Sequence, residues 1–428
     1  MNNTAYVGQL GNIKKIEGAD KIVQASVFVN GIVCVPSVVV GVDSKEGQRV
    51  VYFDSNLCLG EQILKDYPDV ERYLSKNGRV KVVRLKGVIS NGLVMDVDKF
   101  YGYAPESTFK EGFEFNDLGK VHICHKYIPP VKQINVPGSG KNNKKNKQKL
   151  KNRLVEGQFN FHVDTAMLRK TIHEINPDDV ISISQKMHGT SAIVSKVLVK
   201  KNLNIFERIL KKIGVDVVDT KYDILYASRS VIKNSTVGGF YKDDIWTLEG
   251  KKFSYLLHDG ETVYYEIVGY LPSGGYVQKY YDYGHQQNTC GCYVYRITKT
   301  GADGNVIEYG WPQIKARAKE LGLNHVQEYY YGKVKDHFND IPIDNEWHSN
   351  FLNRLAEVYL EKDLVNNLSF KQVKGKNIVI PDEGIVIKAE KTYERAYKLK
   401  SERFYEFESS GHEAGDVDIE EEQAVDET

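Results

Sequence analysis

Two kinds of hydrophobic pattern run along this chain. From Ala5 to about Phe100, short runs rich in Val and Ile ("KIVQASVFV", "GIVCVPSVVV", "QRVVYFDS", "GRVKVVRLKGVIS", "NGLVMDV") are bounded by Gly, Asn or Asp. This is the pattern of short strands closed by turns, and about five of them in about 100 residues predict a small closed all-β barrel. From about Phe159 to Phe407, strand-like runs ("DVISISQK", "SAIVSKVLV", "ILYASRS", "VYYEIVG", "CYVYRIT", "NIVIPDEGIVIKA", "AYKLK") are mixed with two helical stretches. Those stretches, "WPQIKARAKELG" and "NFLNRLAEVYLEKD", carry apolar residues at helical spacing. Strands and helices do not alternate evenly, so the pattern predicts an α+β domain with antiparallel sheets rather than a doubly wound parallel sheet.

A basic stretch, "VPGSGKNNKKNKQKLKNR", separates the two regions. Its "GSGK" is not a phosphate loop: Asn135 stands where the first glycine of G-x-x-x-x-G-K belongs, and Asn142 where Ser or Thr belongs. A flexible basic linker is expected. The predicted organisation is a barrel domain over 1–126, a linker over 127–158, an α+β domain over 159–408 and an acidic disordered tail over 409–428. A chain of 428 residues has room for two or three domains.

Composition narrows the class. Hydrophobic residues make up 41% and charged residues 27%, a soluble balance, and no run approaches the ~18 apolar residues of a membrane helix. No membrane partner is therefore expected. The opening "MNNTAYVGQL" lacks a basic region followed by an apolar core, so no secretion signal is expected and an intracellular site, cytoplasmic or nuclear, is. Five scattered cysteines (Cys34, Cys58, Cys124, Cys290, Cys292) fit free thiols in a reducing compartment. The net charge of +1 hides an asymmetry. The closing residues carry eight carboxylates and no Lys or Arg, and removing them takes the charge from +1 to +9. A basic folded part suits a nucleic-acid partner.

The candidate chemistry centres on "QKMHG". Lys186 ends an alternating strand and precedes a glycine turn, which can aim its amine into a cleft. To act as a nucleophile it must lose its proton, and burial or neighbouring cations favour that loss. Downstream come Arg229 in "SRS", Glu266 in "YYEIVG", Tyr295 in "CYVYRI", Glu383 and Lys388 in "DEGIVIK", and Lys398 and Lys400 in "AYKLKS". Period-2 alternation puts Lys398 and Lys400 on one strand face. A lysine nucleophile, two carboxylates in apolar strands, an arginine and two same-face lysines are what attack on a nucleoside triphosphate needs.

Lys186-Met187-His188-Gly189 resembles the lysine motif of covalent nucleotidyltransferases, in the K-x-H-G form of RNA ligases. The five later segments match that superfamily's remaining motifs in order. The barrel-like N-terminus, an OB-like RNA-binding domain in this reading, and "FHVDTAMLRKTI" resemble the Naegleria-type RNA ligases. "GADKIVQASV" resembles the opening strand of tRNA-binding OB modules. The resemblance implies an ATP-dependent RNA ligase. Lys186 would form lysyl-AMP, with Lys398 and Lys400 balancing phosphate charge. Glu266 and Glu383 would hold Mg²⁺ or Mn²⁺. Gln185, His188, Gly189, Arg229, Tyr295 and Lys388 would contact the nucleotide, with Tyr295 (or Tyr293) stacking on adenine.

The implied partner is RNA with 3′-OH and 5′-phosphate ends, held as a nicked duplex, with the enzyme a monomer and nick sealing in RNA repair its role. Two residues depart from the family pattern: Gln185 where such ligases usually have Glu, and Arg296 where they often have Asp. A capping guanylyltransferase or DNA ligase is the alternative in chemistry, but those usually place an OB domain after the last lysine motif, where about twenty-eight residues remain here. The alternative of another class is a non-catalytic RNA-binding protein with a degenerate nucleotidyltransferase fold.

Overall fold

The computed structural model describes residues 4–127, 153–233, 244–368, 371–373, 376–391 and 395–413. Most of the expected linker and of the expected acidic tail lies outside them. The fold is mixed, with helices packed on antiparallel sheets.

The N-terminal sheet runs in the order Ile32–Gly41, Ile22–Val29, Ala5–Lys15, Arg49–Phe53, Leu93–Asp96, and Glu114–Phe115 also pairs with Ala5–Lys15. The closed barrel expected from the sequence is not seen. Among the described residues no ladder joins the outer strands Ile32–Gly41 and Leu93–Asp96. Ile32–Gly41 is tied instead to the segment just before Leu93–Asp96 by point contacts: Asn91 N donates to Ser37 O at 3.0 Å, and Val39 N donates to Ser90 Oγ at 2.9 Å. The physical reason lies in how the sheet packs. One face of the sheet buries Tyr6, Leu10, Val27, Val50 and Tyr52, and the other buries Val7, Val51, Phe53 and Met95 against Phe100 and Phe109. The first face packs only against its own strands, so the sheet is curled, and at its seam Ile32–Gly41 meets the strand Val88–Ser90 through single hydrogen bonds rather than a ladder.

Two further sheets follow. One is five-stranded, in the order Ala166–Met167, Arg395–Lys400, Gly384–Ala389, Val180–Gln185, Glu328–Lys333. Alternate residues Ile181, Ile183, Ile385, Ile387, Tyr397 and Leu399 pack against Phe351, Leu352 and Leu355 of the helix Trp347–Tyr359. That packing leaves Ser182, Ser184, Lys388, Lys398 and Lys400 on the opposite face. The other sheet orders Thr220–Ser228, Thr190–Lys200, Glu261–Gly269, Cys290–Thr300 and Val306–Glu308. Its core face (Ala192, Val194, Val263, Tyr265, Ile267) packs against Trp246, Trp311 and Ile314. Ser191 and Glu266, paired across the ladder, share the other face. The chain passes from the first of these sheets to the second through Lys186–Gly189.

A two-stranded hairpin of the N-terminal region, Val83–Leu85 with Val88–Ser90, is fastened to the last helix, Glu402–Glu413. Arg84 grips Glu406 with Nε at 2.7 Å and Nη2 at 2.5 Å. Ser409 Oγ accepts from Val82 N at 3.2 Å.

Candidate active site

The turn after Val180–Gln185 is held by backbone. Lys186 N donates to Gly384 O at 2.9 Å, which extends the ladder by one residue and fixes where the lysine emerges. A Cβ at Gly189 would lie 2.3 Å from Ile267 O, so the turn passes too close to the Glu261–Gly269 strand for any other residue. Gly189 N donates to Glu266 Oε1 at 3.1 Å, and Gly189 O accepts from Gln278 Nε2 at 3.0 Å. His188 N donates to the Tyr283 hydroxyl at 2.6 Å, while the His188 ring meets Tyr281 and Phe404 edge-on.

Glu383 is the hub. Its side chain is 2% exposed, and its Oε1 lies 2.8 Å from both Lys186 Nζ and Lys400 Nζ. Burial alone would push this carboxyl up, but the Lys186 and Lys400 cations outweigh it and hold it well below the usual carboxylate range. Burial likewise disfavours the Lys400 cation, and Glu383 reverses that, holding the ammonium well above its ordinary value. The Lys186 side chain is 24% exposed while paired, against 2% for Glu383. Lys398 differs. Burial, then Lys400, Lys186 and Arg229, pull it down to about 7. A lysine in that state stands ready to receive a proton when an anion arrives.

The remaining sequence candidates divide. Glu266 flanks the turn from the second sheet. Tyr295 is the extra residue of a bulge, since Tyr265 pairs with Val294 and Tyr264 with Arg296. Its hydroxyl meets Ser191 Oγ at 2.8 Å and His162 Nδ1 at 3.0 Å. Arg229 is ion-paired with Asp164. Lys388, on the lysine face, donates to Tyr309 O at 3.1 Å and lies 3.7 Å from Glu308. Arg296 takes the same Glu308 in a fork at 2.6 and 3.0 Å and stacks over Tyr264. Gln185 leaves its strand on the face of Ile181 and Ile183, and its Nε2 donates to Asp382 Oδ1 at 3.1 Å. The Gln185 carbonyl oxygen has no hydrogen-bond partner among the described residues.

Sequence reasoning missed His162, Asp164, Tyr283 and Asp382. His162 is kept neutral, drawn down to about 3 by burial and by Arg229. Asp382 is pushed up to about 6 by burial. The signals for them lie in "FHVD", within the stretch that resembles the Naegleria-type ligases, and in the Asp beside Glu383.

The carboxylates can be tested against a divalent metal. Among the described residues no three His, Cys, Asp or Glu side chains form a metal cluster. Glu383 Oε2, however, is buried without a hydrogen-bond partner, and Glu266 reaches the same turn. Few protein ligands, with room for water and phosphate oxygens, suit Mg²⁺ or Mn²⁺ better than a dedicated protein cage.

No protein-family model matches the sequence, and no curated protein matches it. Solved structures do. The chain has the fold of Naegleria gruberi RNA ligase. A variant of that ligase without nucleotide superposes at a TM-score of 0.57 and 16% identity, over 96% of this chain and 100% of that one. A variant with AMP and manganese gives 0.58 and 16%, over 94% and 98%. A variant with ATP and manganese gives 0.56 and 16%, over 94% and 98%. The likeness spans the N-terminal sheet and both later sheets, at an identity that carries fold alone.

Proposed function

We propose that this chain is an ATP-dependent RNA ligase of the covalent nucleotidyltransferase type, sealing a 3′-OH to a 5′-phosphate in a nicked duplex. The observation that carries the reading is the array Lys186–Glu383–Lys400, with Lys398 held near neutrality beside it. The fold shared with the Naegleria ligase, whose structures hold ATP or AMP with manganese, supports it.

In the proposed first step Lys186 gives its proton to solvent water and its nitrogen attacks the α-phosphorus of ATP. A nitrogen–phosphorus bond forms, a phosphorus–oxygen bond breaks, and pyrophosphate leaves. Lys400 and a protonated Lys398 face the charge that builds on the α-phosphate. Next, a 5′-phosphate oxygen displaces Lys186, which regains a proton, and the adenylylated end is attacked by the 3′-oxygen with AMP departing. Glu266 and Glu383 would hold Mg²⁺ or Mn²⁺ through water, and the metal would neutralise phosphate charge. His188 and Gly189 shape the turn, Arg229 and Lys388 supply cations, and Gln185 and Tyr295 face the base.

In this reading residues 1–126 are an OB-like RNA-binding domain, 127–158 a linker and 159–408 the adenylyltransferase domain, with the acidic tail expected over 409–428 beginning only after the helix that ends at Glu413. The protein works as an intracellular monomer in RNA repair.

The test is incubation with α-labelled ATP or GTP and a divalent metal, followed by a denaturing gel, with Lys186→Ala alongside. Label from ATP, absent in the variant, is expected. Label from GTP instead would indicate capping chemistry. No label on a folded protein would leave RNA binding without catalysis.

A further inference from the structure

The hairpin of Thr190–Lys200 and Thr220–Ser228 carries at its far end a helix that the ligase reading leaves unused. Residues Ile205–Lys212 form it. Asn204 caps it: its side chain accepts from Glu207 N at 2.8 Å, and Glu207 accepts from Asn204 N at 2.8 Å. That reciprocal pair stabilises the first turn without tertiary packing. At about 100° per residue, Ile205, Phe206, Ile209 and Ile213 fall on one side. They are 78%, 68%, 53% and 69% exposed. Large apolar side chains left together in water mark a contact surface.

Charge selects the partner. Arg208 and Lys212 lie one turn apart along one margin of the apolar stripe, while Lys211, on the far side, is ion-paired with Asp219 at 2.5 Å. The helix has one acid, Glu207, and Lys201 neutralises it at 2.6 Å. A basic margin beside an Ile/Phe face matches an anionic lipid surface, which accepts apolar side chains at the acyl boundary and cations at the phosphates. RNA offers phosphates, and bases that can stack on Phe206, but nothing for three exposed isoleucines. A symmetric contact with a second copy would set the cationic margins against each other.

We propose that this helix face docks the protein on an anionic membrane surface. The expectation of no membrane partner rested on the lack of a spanning run. No described helix is long and apolar enough to cross a bilayer, but a helix lying in the interface needs no such length. Thr190–Lys200 extends roughly 35 Å from the Lys186 turn to the helix at ~3.3 Å per residue, so docking leaves the candidate active site open.

The test is co-sedimentation of the full chain with vesicles of phosphatidylcholine containing phosphatidylserine, and with phosphatidylcholine alone. Thermal melting verifies that each variant folds. The expected result is binding to the anionic vesicles, reduced about tenfold or more by Phe206→Asp or Ile209→Asp, and weakened by Arg208→Gln with Lys212→Gln. Three results would overturn the proposal: no pelleting with either vesicle, equal pelleting with both, or anionic binding unchanged in folded Ile209→Asp. A concentration-dependent dimer abolished by Ile209→Asp, without vesicle binding, would also overturn it and assign the face to a second copy.

Discussion

Lys186 and Lys400 converge on one atom: each ammonium lies 2.8 Å from Glu383 Oε1. A single buried carboxylate thus positions the candidate nucleophile and one of the candidate phosphate-balancing cations. Replacing it with an isosteric amide removes the charge and keeps the shape. Glu383→Gln is expected to lower the rate of self-adenylylation by about 10²–10³-fold. Single-turnover labelling with α-labelled ATP measures it, with near-ultraviolet circular dichroism to verify folding.

Lys398 gives a pH signature. Its value, brought from the ordinary 10.5 to about 7 by burial and by neighbouring cations, means that the free folded protein holds this lysine largely neutral at pH 8. An unfolded chain would bind the proton there, so Lys398 makes stability rise with pH from about 7 towards 10.5 and lose that contribution as pH falls through 7. Binding of a triphosphate has the opposite sign, because the anion favours the charged form. ATP affinity should therefore fall as pH rises above about 7, with proton uptake at pH 8. Calorimetry in buffers of different ionisation enthalpy measures that uptake, and Lys398→Met should abolish it.

Asp382 orients Gln185. A carboxylate only accepts, so it draws the amide nitrogen of Gln185 and leaves the carbonyl oxygen to accept from an amino group such as that of adenine. Asn at 382 can donate or accept, and the amide loses its fixed orientation. Asp382→Asn is expected to lower the ratio of kcat/KM for ATP over GTP in self-adenylylation by about tenfold, the effect of one hydrogen bond. Adding Gln185→Glu should restore it.

Gly189→Ala would force a methyl to within 2.3 Å of Ile267 O and 2.7 Å of Val268 Cγ1, both in a buried strand that cannot retreat. A loss of about 1–3 kcal/mol is expected in urea denaturation, together with loss of labelling as the Lys186 turn shifts.

Local periodicity contained much of this. The alternation in "RAYKLK" already puts Lys398 and Lys400 opposite Tyr397 and Leu399, because successive strand residues point to opposite faces. The helices at Trp311–Glu320 and Trp347–Tyr359 were visible in their apolar spacing, and the ordered motifs around Lys186 carried the resemblance to RNA ligases. Tertiary structure decided what spacing cannot encode. The N-terminal strands form an open path because Ile32–Gly41 meets Val88–Ser90 through single hydrogen bonds rather than a ladder. The bulge at Tyr295 turns its hydroxyl to Ser191 and His162, which alternation alone does not predict. Gln185 meets Asp382 across 197 positions of sequence, and Lys186 meets Glu383 only because Gly384–Ala389 pairs with Val180–Gln185. Periodicity reports which face a side chain takes. Which distant group it then meets is set by the packing of whole sheets, and that is a property of the folded chain.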